Sequence, residues 1–322
     1  MYKPVTAIIT STQRGIDNLR LLLLSIDKQV LKPQQAIVIY DSFLNPGLNL
    51  PKDYSFALEY IGNPDKLSLT YLQNQVMLSK IKTNILLLND DVILEQDFLS
   101  QLTLVLQVNL NVGIACGKIL RMDKQTIDTT GQFLSKNRSP LERGYNALDK
   151  GQFNLPGVVF GACGAAVLYR REMLEDIVLD QGQYVDNDYH LFYEDLDLSW
   201  RAYNLGWEAF YTPKAVAYHL RGASAKIRKP RWKFLQAYNF AWLSNDLKKN
   251  VVRNRYLTII KNDRVCSFLL NLPYILFYEL KLWLYCLFFA PKVILSIFFS
   301  LPFFIRALKK RELILKKIED KE

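Results

Sequence analysis

Residues 84–91 read NILLLNDD: a run with no polar face, then an amide and two carboxylates. A strand apolar on both sides belongs inside a covered sheet, the habit of parallel sheets with helical crossovers. Working outward, residues 5–10 (VTAIIT), 36–40 (AIVIY) and 56–61 are further strands. Helical patterns over about 16–29 and 68–80 separate them, another starts near Asp97, and residues 112–120 are again strand-like. The alternation predicts an α/β domain with a mostly parallel sheet, helices on both faces and right-handed crossovers. Ligands of such sheets sit beyond the carboxyl ends of the strands, here residues 11–14, 41–42 and 89–91. The sequence holds neither GxGxxG nor GxxxxGK[ST], so a dinucleotide fingerprint and a phosphate loop of the usual kind are excluded.

The chain has 322 residues, half of them hydrophobic (50%) and 22% charged, which suffices for a large core and excludes disorder and coiled coil. Cys116, Cys163, Cys266 and Cys286 are scattered without a CxxC pair, so they read as buried thiols of a reducing compartment and not as a zinc site. No signal-peptide pattern precedes the first strand, and the expected location is cytoplasmic.

Charge divides the chain. Residues 1–220 carry 20 basic and 24 acidic side chains, whereas 221–264 carry 12 and 2. The next stretch, residues 268–305 (FLLNLPYILFYELKLWLYCLFFAPKVILSIFFSLPFFI), is apolar and aromatic, and the tail from Arg306 is basic again. Basic flanks around an apolar stretch suit anionic lipid headgroups better than a duplex, so a membrane surface is expected as a partner and nucleic acid is not. Pro273, Glu279, Lys281, Pro291 and Pro302 are expected to cut this stretch into helices too short to span, lying in the interface or re-entrant. The expected division is a catalytic domain over 1–220, a basic lid, linker and helix over 221–264, and membrane-associating helices over 265–322.

Asp90 and Asp91 end a buried strand, where adjacent acids repel and lose solvation. They either share a divalent cation with a phosphate or cap the following helix. Glu194 and Asp195 open a helical pattern closed by Gly206; they either cap it or do chemistry. Asp197 and Arg201, four apart, read as a structural pair, and His190 as structural. His219 ends a strand and precedes the cationic loop 221–229, which includes Arg228 and has the composition of a lid over a diphosphate, or of a lipid-facing linker.

These pieces resemble the family-2 glycosyltransferases of GT-A fold, especially bacterial enzymes of rhamnosyltransferase type. VTAIITSTQR looks like the family's first strand and nucleotide-contacting turn, IVIYDSF like its second, and ILLLNDDV stands at the place of the DxD motif. GACGAAVLYRREML and the run FYEDLDLSWRAYNLGWEAFYTPKAVAYH, continuing to RGAS, carry the resemblance furthest. It implies that Thr10, Thr12, Asp41 and Arg228 bind the donor, that Asp91 binds Mg²⁺ or Mn²⁺ at the diphosphate with His219 on the metal or the diphosphate, and that Asp90 lies beside the ribose or sugar. Asp195 would be the general base for the acceptor hydroxyl, with Glu194 orienting it or the acceptor. The implied reaction is inverting transfer from a dTDP-, UDP- or GDP-linked sugar to a lipid-linked glycan or polysaccharide at the cytoplasmic membrane face. Asn89 at the first DxD position and the missing Arg before Asn74 depart from the pattern. Asn89 leaves open a domain that binds nucleotide-sugar or glycan without catalysis.

Overall fold

The computed structural model describes residues 3–11, 16–41, 53–80, 82–220, 240 and 243–321. The apolar runs form its spine: β1 (Val5–Ser11), α1 (Ile16–Asp27), β2 (Gln35–Asp41), β3 (Ala57–Asn63), α2 (Leu69–Lys80) and β4 (Asn84–Asn89). These strands pair in the parallel order β3-β2-β1-β4. The chain continues through β5 (Val92–Leu94), α3 (Phe98–Val108), β6 (Val112–Arg121), β7 (Ile127–Thr129), β8 (Gln132–Leu134), β9 (Pro140–Glu142), β10 (Gly157–Val159) and β11 (Ala166–Tyr169). Then come α4 (Arg171–Ile177), α5 (Glu194–Asn204), β12 (Glu208–His219), α6 (Asn245–Asn262), α7 (Val265–Phe289), α8 (Pro291–Phe298) and α9 (Leu301–Glu319). Beyond β4 the sheet order runs β11-β6-β12-β10. Here β11 lies antiparallel to both neighbours, while β6 and β12 are parallel.

Both faces are covered, as doubly apolar strands require. Leu19, Leu22 and Leu23 of α1 and Phe98, Leu99 and Leu102 of α3 close one face. Met77 of α2, Met173 and Leu174 of α4 and Leu198 of α5 close the other, joined by Ile314 and Ile318 of α9. Burial of such a side chain contributes about 2 kcal/mol, so the C-terminal helix is fastened to the core under the sheet.

One expectation about the C-terminal part is corrected. Pro273 lies inside α7 without ending it, and the 25-residue helix is long and apolar enough to cross a membrane by length and composition. A proline removes one backbone bond; here the helix is pinned on both sides of the break, by Arg138 to Ser267 and by Arg255 to Glu279. Pro291 and Pro302 do start new helices, and α8 and α9 meet at a 58° bend. Among the described residues, several basic side chains of this part pair with acids of the preceding domain. Lys261 pairs with Asp186 and Asp197, Lys310 with Asp186 and Asp188, Arg306 with Asp188, and Lys321 with Asp176. These pairs join acids of residues 1–220 to the basic C-terminal helices.

Candidate active site

Strand register brings the first cluster together. Thr10 lies beside Asn89 at the ends of β1 and β4, and Asp90 donates its backbone N–H to the Thr10 carbonyl at 3.2 Å. The buried Asp90 carboxylate accepts from the Ser11 hydroxyl at 2.9 Å. Asp91 follows, and because β5 pairs antiparallel with β12, with Val92 opposite His219, the His219 Nε2 stands 3.1 Å from Asp91 Oδ1. On the other side a bulge between β6 and β7 leaves Asp128 as an extra residue in the ladder, a device that re-aims a side chain. The fully buried Asp128 Oδ2 lies 2.8 Å from His219 Nδ1. Burial disfavours charge on the ring, but the hydrogen bonds and charges of Asp128 and Asp91 outweigh it and raise His219 to about 9.

The second cluster is built on the β8–β9 hairpin and the first turn of α5. Hairpin register sets Gln132 opposite Glu142. The buried Gln132 amide donates from Nε2 to Glu142 Oε1 at 2.8 Å and to Asp195 Oδ2 at 2.9 Å. Gly164 N–H also donates to Asp195 Oδ2, at 3.2 Å, and Leu196 N–H to Oδ1. The neighbouring Glu194 Oε2 is buried with no partner among the described residues. Burial and the charge of Asp195 push Glu194 up to about 8, and burial also raises Asp195 against its three hydrogen bonds. Hydrogen bonds favour charge on Asp195, whereas the orphaned oxygen of Glu194 favours a proton there.

Phe192 and Tyr193, which lead into this pair, both have φ near +72°. Two successive left-handed aromatic residues are strained, at about 1–3 kcal/mol each, and persist only where their surroundings dictate them. Asn254 of α6, fully buried, supplies that constraint by donating Nδ2 to the carbonyls of Leu191 and Phe192 at 3.0 and 2.8 Å. Behind the same segment the Asp186 carboxyl is held far below the usual carboxylate range: burial opposes this, but the Lys261 and Lys310 ammonium groups prevail.

A cavity of about 1050 Å³ joins the two clusters; Thr10, Asp90, Asp91 and His219 line it together with Glu194 and Asp195. Asp41 ends β2 as expected; Thr12 and Arg228 lie outside the described residues. His190, read from sequence as structural, is exposed on the cavity wall. Asp197 and Arg201 form the expected pair, both wholly buried. Asn74 is a clamp: its Oδ1 accepts from the backbone N–H groups of Tyr184 and Val185, and its Nδ2 donates to Val185 O. Sequence reading missed Asp128, Gln132, Glu142 and Asn254, which reach the site through a bulge, a hairpin and a distant helix.

The first cluster suits a divalent cation. A carboxylate oxygen and an imidazole nitrogen form a mixed set that Mn²⁺ and Mg²⁺ accept, and a carboxylate behind the ring is the usual support of a ligating histidine. Glu142, Cys163 and Asp195 also place potential ligand atoms within 4.8 Å of one another. That set fits less well, because burial raises the Cys163 thiol far above its ordinary value and Asp195 Oδ2 is already engaged.

No curated protein matches the sequence. Among solved structures the chain is similar to GalNAc-T7 with UDP, GalNAc and Mn²⁺, with a TM-score of 0.58 and 12% identity over 79% of this chain and 48% of that one. It therefore spans about half the length of that protein. It is also similar to the mannosyltransferase PcManGT from Pyrobaculum calidifontis in complex with GDP-Man and Mn²⁺, with a TM-score of 0.52 and 11% identity over 100% and 87% of the two chains. At such identities the likeness bears on the fold, which is GT-A-like. The sequence profile described as glycosyltransferase like family 2 matches residues 68–245, more than half of the chain, and the protein belongs to that family.

Proposed function

We propose that the protein is an inverting, metal-dependent glycosyltransferase of rhamnosyltransferase-like type. On this reading it moves a deoxyhexose or other hexose from a dTDP-, UDP- or GDP-linked donor to a lipid-linked glycan or polysaccharide at the cytoplasmic face of the membrane, in polysaccharide biosynthesis. The observation that carries it is the single cavity joining Asp91 and His219 to Asp195.

Thr10, Thr12, Asp41 and Arg228 take the donor, with Asp90 at its ribose or sugar. Asp91 and His219 hold Mg²⁺ or Mn²⁺, and Asp128 keeps the His219 ring in orientation. When bound, the cation supplies positive charge against the leaving diphosphate. Asp195 accepts the proton of the acceptor hydroxyl as the oxygen attacks the anomeric carbon from the face opposite the diphosphate, so configuration inverts. Glu194, holding its own proton, keeps the pair singly charged and orients the base. Family membership and the two Mn²⁺-containing neighbours support this reading.

A thermal-shift screen against UDP-, dTDP- and GDP-sugars with and without Mn²⁺ selects the donor, since a ligand of the folded state raises its stability by mass action. Transfer with that donor should be lost in Asp195→Asn and Asp91→Ala. Full transfer by either variant would overturn the assignment.

A further inference from the structure

Five carboxylates line the cavity: Asp90, Asp91, Glu142, Glu194 and Asp195. Among its described lining residues the only lysines or arginines are Lys136 and Lys281. Both are exposed, and neither makes a salt bridge among the described residues. Each ammonium group rests on an aromatic ring of α7: Lys136 Nζ is 4.9 Å from the Tyr274 centroid and Lys281 Nζ 4.2 Å from that of Phe277. Those rings are three residues apart on one helix face, so the two cations flank a single aromatic patch at the cavity wall. The proposed donor site lies at the strand ends of β1, β4 and β12, whereas the two rings belong to α7.

The patch continues outside the cavity. Leu270, Tyr274, Phe277, Lys281, Leu284 and Phe288 succeed one another at spacings of three and four, the period of one helix face. All are exposed, Leu270 at 80% and Phe288 at 71%. The other ionisable group at the middle of α7, Glu279, points away and is neutralised by Arg255 with a hydrogen bond from Tyr256. Lys281 is therefore the one charge on an otherwise apolar stripe running into the catalytic cavity. A lysine resting on a ring keeps its ammonium group free to meet an anion while its stem covers apolar surface.

We propose that Lys136 and Lys281 form a second anion site, which holds the phosphate or diphosphate of an amphiphilic acceptor while its alkyl chain lies along Tyr274, Phe277, Leu284 and Phe288. The occupant is a phosphorylated long-chain lipid presented from the bilayer. The inference rests on the glycosyltransferase reading and narrows its acceptor: the anion fixes the head of the acceptor beside Asp195, and the tail keeps it anchored.

The test is flotation of the full-length protein with phosphatidylcholine vesicles carrying hexadecyl diphosphate or, at equal surface charge, phosphatidylglycerol. Retention by the hexadecyl diphosphate vesicles should exceed that by phosphatidylglycerol. In Lys136→Ala/Lys281→Ala that excess should fall about thirtyfold, at about 1 kcal/mol for each lysine near an anionic group. Lys136→Arg/Lys281→Arg should restore it. Equal retention on both lipids, or an unchanged excess in a double alanine variant of normal melting temperature, would overturn the proposal. A lysine-dependent thermal shift with inorganic diphosphate alone, as strong as with hexadecyl diphosphate micelles, would reduce the site to a free-anion site and overturn its lipid half. Asp195→Asn separates the two readings. Its loss of transfer tests the enzyme, whereas its retention on hexadecyl diphosphate vesicles should equal wild type.

Discussion

At the residue scale the site depends on which of two adjacent carboxyls carries the charge. Gln132 makes one of the hydrogen bonds that favour ionised Asp195. Gln132→Ala should therefore move the acid limb of the kcat/KM profile to higher pH and lower kcat by about tenfold, with the donor KM little changed. Asp195→Asn should be inactive across that profile, and a retained pH-dependent rate would place the base elsewhere. Glu194 has a stability signature. A carboxyl raised on folding binds more protons in the folded chain than in the unfolded one between its ordinary value, about 4.3, and about 8. Stability then falls as pH rises through that window. Glu194→Gln should make the fall shallower, the raised Asp195 and His219 keeping their share, which urea midpoints at successive pH values would show; parallel curves for wild type and variant would refute the assignment. Asp91, Asp195 and His219 were legible in the sequence because each follows or opens a recognisable element. Asp128 and Gln132 were not, since a one-residue bulge and a three-residue hairpin strand leave no periodic signal.

At the scale of elements, the sheet was readable because strands buried on both faces stay apolar at every position, as in VTAIIT and NILLL. Helix ends moved by a residue or two, as the first helix did in closing at Asp27. The antiparallel insertion of β11 could not be read, because a central strand shows the same apolar run in either direction. Nor could the dependence of α5 on α6. Glu194 and Asp195 look like ordinary first-turn acids until the left-handed pair before them and its restraint by Asn254 are seen. Asn254→Ala leaves two carbonyls of that turn without their donor. It should destabilise the protein by about 1–3 kcal/mol and lower kcat more than it raises the donor KM. Loss of stability with wild-type kcat would mean that the turn holds its shape unaided. Gly161 marks a second constraint: a Cβ there would stand 2.5 Å from the Ser199 side chain of α5. Gly161→Ala should accordingly push α5 from its seat and lower both the melting temperature and kcat.

At the scale of the whole molecule, the sequence shows an acidic domain followed by a basic, apolar tail, and charge alone could not say whether that tail faces lipid or protein. The structure divides the labour by side-chain type. Lys261 and Lys310 turn inward, and with the exposed Arg306 they pair with Asp186, Asp188 and Asp197 and hold the segment that leads into Glu194. Large aromatic and aliphatic side chains turn outward, Phe298 at 76% and Phe299 at 82% exposure. Removing one member of a buried ion pair strands its partner, so Lys261→Met should cost about 3–5 kcal/mol, and the loss should persist at high salt because the pair is desolvated. The proposed membrane attachment should respond to the opposite class of residue. Phe298→Glu/Phe299→Glu removes two exposed rings from the bend between α8 and α9, each contributing about 2 kcal/mol if buried in lipid. Retention on neutral phosphatidylcholine vesicles should fall by more than tenfold, while the melting temperature in detergent stays as in wild type. Undiminished retention would show that attachment does not pass through this bend, and would return the outward apolar surface to contact with protein.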